Sequence, residues 1–263
     1  MFDNICKFLA ENFRDDLVTW LLGNPIKLTE LKPTELSIEP IRADSLILLQ
    51  SDDLVLHTEF QTGADETMPF RMLDYRVRVY RRYPNKKMRQ VVIYLRPTNS
   101  PLVQQNSFQL EETSHRFELI RLWEIPPDNF LKYQGLLPFA VLTQTNDPKI
   151  VLNQVAGAID EIMDRNTKSN LTAASAILAN LVMEKNIINT ILRSDIMQES
   201  AIYQEIYHSG ELKGKLAGKQ EEKERVALSL LRQGISFDVI ANATELPLKT
   251  IEILQKVVTQ NDN

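Results

Sequence analysis

Three polar side chains stand at the ends of two short apolar runs. Asp44 precedes the run LILLQ, and Glu59 and Gln61 end the run LVLHTEFQ. Each run reads as a strand, and the polar turn at 50–53 joins them. Side chains alternate faces along a strand, so His57, Glu59 and Gln61 share one face while Leu54, Leu56, Thr58 and Phe60 share the other. Pairing through the turn brings Asp44 toward Glu59. Two carboxylates converging from neighbouring strands make a pocket of hard oxygens, the donor type that Mg²⁺ or Mn²⁺ takes with retained waters and a phosphate ligand. Such an ion polarises a phosphoryl oxygen and lowers the pKa of bound water. Asp44 and Glu59 are the expected metal ligands, and His57 reads as a structural or rim residue rather than a base.

The elements that must hold these groups follow from periodicity. Residues 4–22 carry helical spacing in two sets, Ile5, Phe8, Leu9 and Leu17, Trp20, Leu21, and Gly23-Asn24-Pro25 ends the pattern. Glu11 and Asp15 on this stretch are either a solvated face or a further source of carboxylate for the pocket. Pro69 opens the next helix. Phe70, Leu73, Val77 and Tyr80 recur at helical spacing and are expected to face the core, which puts Arg71, Tyr75, Arg78 and Arg82 on nearly the opposite face. The run VVIYL at 91–95 reads as a strand buried on both faces. Residues 98–114 read as a loop or hairpin, and FELIRLWEI at 117–125 as another strand. From Asp128 the text is helical, with Leu136 to Leu142 packing under the sheet. The fold class is therefore α/β, a mixed central sheet flanked by helices. The organisation is a domain over 1–195 and a helical C-terminal extension over 196–263. Gly210, Gly214 and Gly218 recur every fourth residue there, as in a charged connector. Ser236 begins two short helices around Leu246-Pro247, a helix-turn-helix pattern whose role is either DNA contact or packing and oligomerisation.

An Asp on one strand followed by Glu-x-Lys on the next is the signature of the PD-(D/E)XK nucleases. This chain resembles the recombination-promoting nuclease (transposase-like) branch of that superfamily. The resemblance runs over nearly the whole chain: Asp3-Asn4, Trp20-Leu21-Leu22-Gly23, Arg71 with Tyr75, Leu122-Trp123-Glu124, Leu137-Pro138, Leu142-Thr143-Gln144-Thr145, Met197-Gln198-Glu199-Ser200 and Tyr203-Gln204. It implies a restriction-endonuclease-like core and metal-dependent hydrolysis of DNA phosphodiesters, with a link to recombination or mobile elements. It also implies catalytic roles for Asp44, Glu59 and Gln61, and substrate contact by Arg71, Tyr75, Arg78 and Arg82. The chain departs from the superfamily pattern twice. Ala43 replaces the Pro before Asp44, and Gln61 stands where Lys is usual. A neutral amide orients water but supplies no positive charge, which leaves Arg42 or Arg71 to do so.

Charge and composition bound the alternatives. The total of −5 excludes a generally basic nucleic-acid coat. Between Arg71 and Arg89, however, eight basic residues stand against one acid, Asp74. That segment carries +7, so the remainder carries −12 of the −5 total. Such a stretch suits a phosphate backbone. One cysteine, Cys6, excludes an intrachain disulfide and a cysteine zinc site. The acidic N-terminus and the lack of an 18-residue apolar run point to a cytoplasmic protein outside the membrane. DNA is the expected partner, with homo-oligomerisation open. The competing reading is a nuclease-derived protein, weakened or inactive, that binds DNA or other proteins.

Overall fold

A computed structural model describes residues 2–31 and 46–261. Asp44 and Arg42 lie outside the described residues. The chain divides into two compact units, 1–203 and 204–263, against the boundary at 195/196 expected from sequence.

The first unit opens with α1 (Phe2–Asn12) and α2 (Arg14–Leu22). Phe13 breaks what sequence periodicity joins into one stretch, and Gly23, in the left-handed region at φ 75°, ends α2 through a backbone hydrogen bond to Thr19. Strands β1 (Thr29–Glu30), β2 (Leu46–Gln50) and β3 (Leu54–Gln61) follow, then α3 (Met68–Arg82) and β4 (Lys87–Tyr94). A 3₁₀ turn at 101–104 leads to a hairpin of β5 (Ser107–Leu110) and β6 (Thr113–Arg116), then to β7 (Glu118–Arg121). The expected strand over 117–125 is shorter than its apolar text, because 122–124 turn as 3₁₀ helix. Trp123 packs beside the core there. Helices α4 (Asp128–Leu131), α5 (Leu137–Ala140), α6 (Pro148–Asp160), α7 (Arg165–Ala179), α8 (Lys185–Ile191) and α9 (Ser194–Gln198) complete the layer.

The sheet order is β1-β2-β3-β4-β7, antiparallel across β1, β2 and β3 and parallel across β3, β4 and β7. This is the mixed sheet flanked by helices that the sequence predicts. β3 and β4 sit centrally and are buried on both faces for most of their length. The crossover helix α3 covers the face that carries His57, Glu59 and Gln61. On the other face Phe60 stacks on Phe139 of α5, with ring centroids 5.4 Å apart and planes 8° from parallel. Around α5 pack α6 and α7.

The orientation of α3 reverses the sequence expectation. Its buried stripe is Met68, Met72, Tyr75 and Val79. Phe70, Val77 and Tyr80, predicted as core, are 57%, 44% and 61% exposed. The helix carries two apolar stripes, and the one holding Tyr75 faces the sheet, where Tyr75 meets buried His57 in a tilted ring contact with centroids 4.7 Å apart.

The second unit is helical. After α10 (Ala201–Arg232), α11 (Phe237–Thr244) and α12 (Leu248–Asn261) turn about Glu245, whose φ is +57°. Ala227, Leu231, Ile240, Leu246 and Ile251 form its core. Ser236 occupies the N-cap position of α11 without a side-chain hydrogen bond. Among the described residues no helix is long and apolar enough to cross a membrane.

Candidate functional site: a buried carboxylate at the strand ends

Glu59 lies near the carboxyl end of β3, within the central sheet, and is fully buried. The antiparallel register pairs it with Leu46, two residues after Asp44 in sequence. The parallel register pairs it with Val92 and sets Gln61 beside Tyr94. One oxygen, Oε2, receives Arg71 Nη2 in a close ion pair and lies 3.4 Å from Gln61 Nε2. The same guanidinium donates from Nη1 to Asp65 Oδ2 at 2.9 Å. Arg71 thus clamps two carboxylates, Glu59 from the strand and Asp65 from the loop after it. Such a planar fork is what allows one arginine to serve both.

Asp65 is held by its own local structure. Its Oδ1 accepts from the backbone N–H and hydroxyl of Thr67, the residue that caps α3. Burial alone pushes its carboxyl up, but the two Thr67 hydrogen bonds and the Arg71 charge outweigh it and hold the group below the usual carboxylate range. Tyr94 closes the site from β4. Burial first, then the charges of Asp65 and Glu59, push its hydroxyl pKa up.

The second oxygen, Glu59 Oε1, is buried and faces His57 Nε2 at 3.4 Å, and neither atom has a hydrogen-bond partner among the described residues. Behind His57 the chain of contacts is fully paired. Gln90 Nε2 donates to the carbonyl of Met72 at 2.7 Å and meets His57 Nδ1 at 2.9 Å; Gln90 Oε1 lies 2.8 Å from His115 Nε2. A carbonyl only accepts, so Met72 fixes which end of the amide carries the protons. His57 Nδ1 is then the acceptor, its proton sits on Nε2 toward Glu59, and His115 Nε2 is the donor to Gln90. A continuous polar seam runs under α3 from Asp65 through Arg71, Glu59, His57 and Gln90 to His115.

The residues expected to form one phosphate-binding face are dispersed. Arg71 is spent on Glu59 and Asp65. Tyr75 is buried on His57, and burial, then the Glu59 charge, push its hydroxyl pKa well up. Arg78 pairs with Asp74 at 2.8 Å, and Arg82 is exposed. Lys86 is tied to Gln50 and Ser51, and Arg89 to Glu118. Glu11 and Asp15 line a separate cavity with Asp16 and Lys27. Sequence reasoning missed Asp65, Gln90 and His115. Asp65-x-Thr67 before Pro69 carries a helix-start signal that could have drawn attention to the first; no local pattern marks the other two.

Hard-oxygen donors that fit a divalent ion are present in part. Glu59 and Asp65 converge on one cationic group, and Glu59 Oε1 has no hydrogen-bond partner among the described residues. Among the described residues no group of three or more acidic, histidine or cysteine side chains is gathered for a metal. Residues from the blocks 122–124 and 142–145 meet in space: Trp123 and 142–145 line a cavity of about 430 Å³ with Arg96 and Pro97, just beyond β4.

No family model matches the chain, and neither a curated protein nor a solved structure does. The nuclease resemblance rests on the residue blocks alone.

Proposed function

We propose that this chain is a divalent-metal-dependent DNA endonuclease with a PD-(D/E)XK-like core. The observation that carries the reading is the place of Glu59: the carboxyl end of a central strand, antiparallel to the strand that Asp44 precedes, with an arginine and a second carboxylate attached. Ligands of open α/β sheets gather at the carboxyl ends of the strands. Asp44 and Glu59, with Asp65 nearby, would hold Mg²⁺ or Mn²⁺. The ion would supply polarisation of the phosphoryl oxygen and a more acidic water.

The chain's own groups divide the remaining work. Arg71 is the accessible member of the pair, its side chain 31% exposed, while Glu59 is sealed. An incoming phosphodiester meets Arg71 first. By turning its fork from the carboxylates to the phosphate, Arg71 neutralises developing negative charge and uncovers Glu59. Gln61 orients the attacking water by its amide, and His57 holds Glu59 from behind. Arg82 adds backbone contact at the solvent end of α3.

Plasmid nicking tests this reading. Wild-type protein is expected to nick with Mg²⁺ or Mn²⁺ and to stop with EDTA; Asp44→Ala and Glu59→Gln are expected to lose at least a hundredfold in rate. Equal cleavage by either variant discards the site assignment.

A second reading is favoured by two observations: Gln61 replaces the usual Lys, and Arg71 already neutralises Glu59. On this reading the chain is a nuclease-derived DNA-binding or protein-interaction protein without turnover. It retains DNA with a steep salt dependence and yields no metal-dependent product.

A further inference from the structure

At the far end of the polar seam the sheet opens into a cavity of about 510 Å³. Arg76 of α3, Arg89 and Gln90 of β4, His115 and Arg116 of β6 and Glu118 of β7 line it. Three guanidiniums face one carboxylate. Glu118 is already committed to Arg89, whose Nε and Nη2 donate to Oε2 at 3.0 and 2.7 Å, and Arg89 also reaches the carbonyl of Leu21. The side chains of Arg76 and Arg116 make no hydrogen bond or ion pair among the described residues. Two guanidiniums on different elements therefore line one cavity with no ion-pair partner of their own among the described residues.

This is a costly arrangement for a cavity with nothing to bind. Arg76 is half-buried, and unpaired charge held partly out of water is unfavourable. Its field also falls on His115: burial, then the Arg76 charge, then His57, hold that imidazole below its usual range. The nearby hydrogen-bonding groups cannot help, because the Gln90 amide is used at both ends by Met72, His57 and His115. What completes the cavity is an anion that accepts from two planar forks at once, and phosphate oxygens have that geometry.

We infer that this cavity binds a phosphate group between Arg76 and Arg116, with Arg89 behind it. The volume exceeds what a bare phosphate fills and lies within the range of small-ligand sites, so the phosphate is carried by something larger: a phosphorylated small molecule or a nucleic-acid backbone. The site is distinct from Glu59. It sits at the amino ends of β4 and β7, while Glu59 lies toward the carboxyl end of β3 and pairs with Val92, two residues beyond Gln90. The inference does not rest on hydrolysis and is measured without turnover.

The test is equilibrium binding of inorganic pyrophosphate and, separately, of a short DNA duplex to the full chain. Wild type is compared with Arg76→Gln, Arg116→Gln and the double variant, with Arg225→Gln on α10 as the charge-matched control. Thermal melts confirm that each variant folds; Arg116 is exposed, so its variant keeps the test open if Arg76→Gln does not fold. Each cavity substitution is expected to weaken pyrophosphate about tenfold or more, while the control leaves it unchanged. Loss on pyrophosphate alone identifies a small phosphorylated ligand. If the backbone is the source, the duplex affinity drops and its log–log salt slope falls by about one per arginine removed. Binding of both probes that is indifferent to Arg76 and Arg116, or no binding at all, overturns the inference.

Discussion

Gln90 donates an amide proton to Nδ1 of His57 at 2.9 Å, and this contact sets the protonation pattern of the whole seam. The amide cannot flip without facing its oxygen to the Met72 carbonyl. His57 is therefore held with its proton on Nε2, toward Glu59. Nitrogen-15 spectra are expected to report the Nε2–H tautomer of His57 in wild type. Gln90→Leu would leave His57 Nδ1 buried and unpaired, at about 1–3 kcal/mol, while the Met72 carbonyl, inside α3, keeps its helical bond. Urea unfolding should record a loss in that range, and a variant as stable as wild type would refute the pairing.

Arg71 and Glu59 provide a second test. Glu59 is fully buried, so removing Arg71 strands a charge in the core. Loss of one partner of a buried pair typically costs about 3–5 kcal/mol; Arg71 is one-third exposed, so the lower end is expected for Arg71→Ala. Glu59→Gln in the same chain should recover much of that loss, because the stranded charge is then gone. Strict additivity in the double-mutant cycle would show that the two side chains act independently.

Stability should also depend on pH through His115. Its folded pKa is depressed, by burial first and then by Arg76 and His57. The unfolded imidazole takes its proton near pH 6.5. Below that value the unfolded chain binds a proton that the folded chain refuses, so stability falls as pH drops, until the depressed folded pKa is reached. Above pH 6.5 the contribution is constant. The urea midpoint is expected to fall between pH 7.5 and 5.5, and to fall less in His115→Gln. Equal losses in the two proteins would remove His115 from the account.

Local text revealed the hairpin, the central strand and the helical second half. The turn at Ser51-Asp52-Asp53 sits between two apolar runs, and Ser51 and Asp53 do bond each other there, at 2.8 Å. VVIYL needs no partner to read as a buried strand. The α3 face was illegible because both of its stripes are apolar, and the choice depends on what the sheet presents. His57, Glu59 and Gln61 read as one polar face in sequence; His57 and Glu59 are fully buried there because Arg71, Tyr75 and Gln90 satisfy or cover them, and Gln61 is half-buried. Gln90 lies 33 residues from His57, and no window of local pattern spans that distance. The basic run at 71–89 is spread for a similar reason: Arg71, Arg78, Lys86 and Arg89 each meet a different partner, and Arg76 lines a cavity.

Glycines give a paired prediction, because their spacing in sequence says nothing of what surrounds them. Gly135 follows Tyr133 and Gln134 in a 3₁₀ turn and donates its N–H to Asp16 Oδ2 at 2.7 Å. A Cβ there would lie 2.0 Å from Cβ of Phe13, at the break between α1 and α2. Neither backbone can yield without moving the joint, so Gly135→Ala should exceed the usual overpacking cost of about 1–3 kcal/mol. Gly214 lies inside α10, with no atom of the described residues within 4 Å of an added Cβ. The sequence there reads as a longer helix that the glycines could interrupt as a charged connector; the helix is continuous over Ala201–Arg232, and in an open helix interior alanine is better than glycine by about 1 kcal/mol. Gly214→Ala is therefore expected to raise the stability of the second unit while Gly135→Ala lowers that of the first, both read from thermal or urea unfolding of the full chain. A Gly135→Ala protein that unfolds like wild type would mean that α2 and the 134–136 turn do not approach each other this closely.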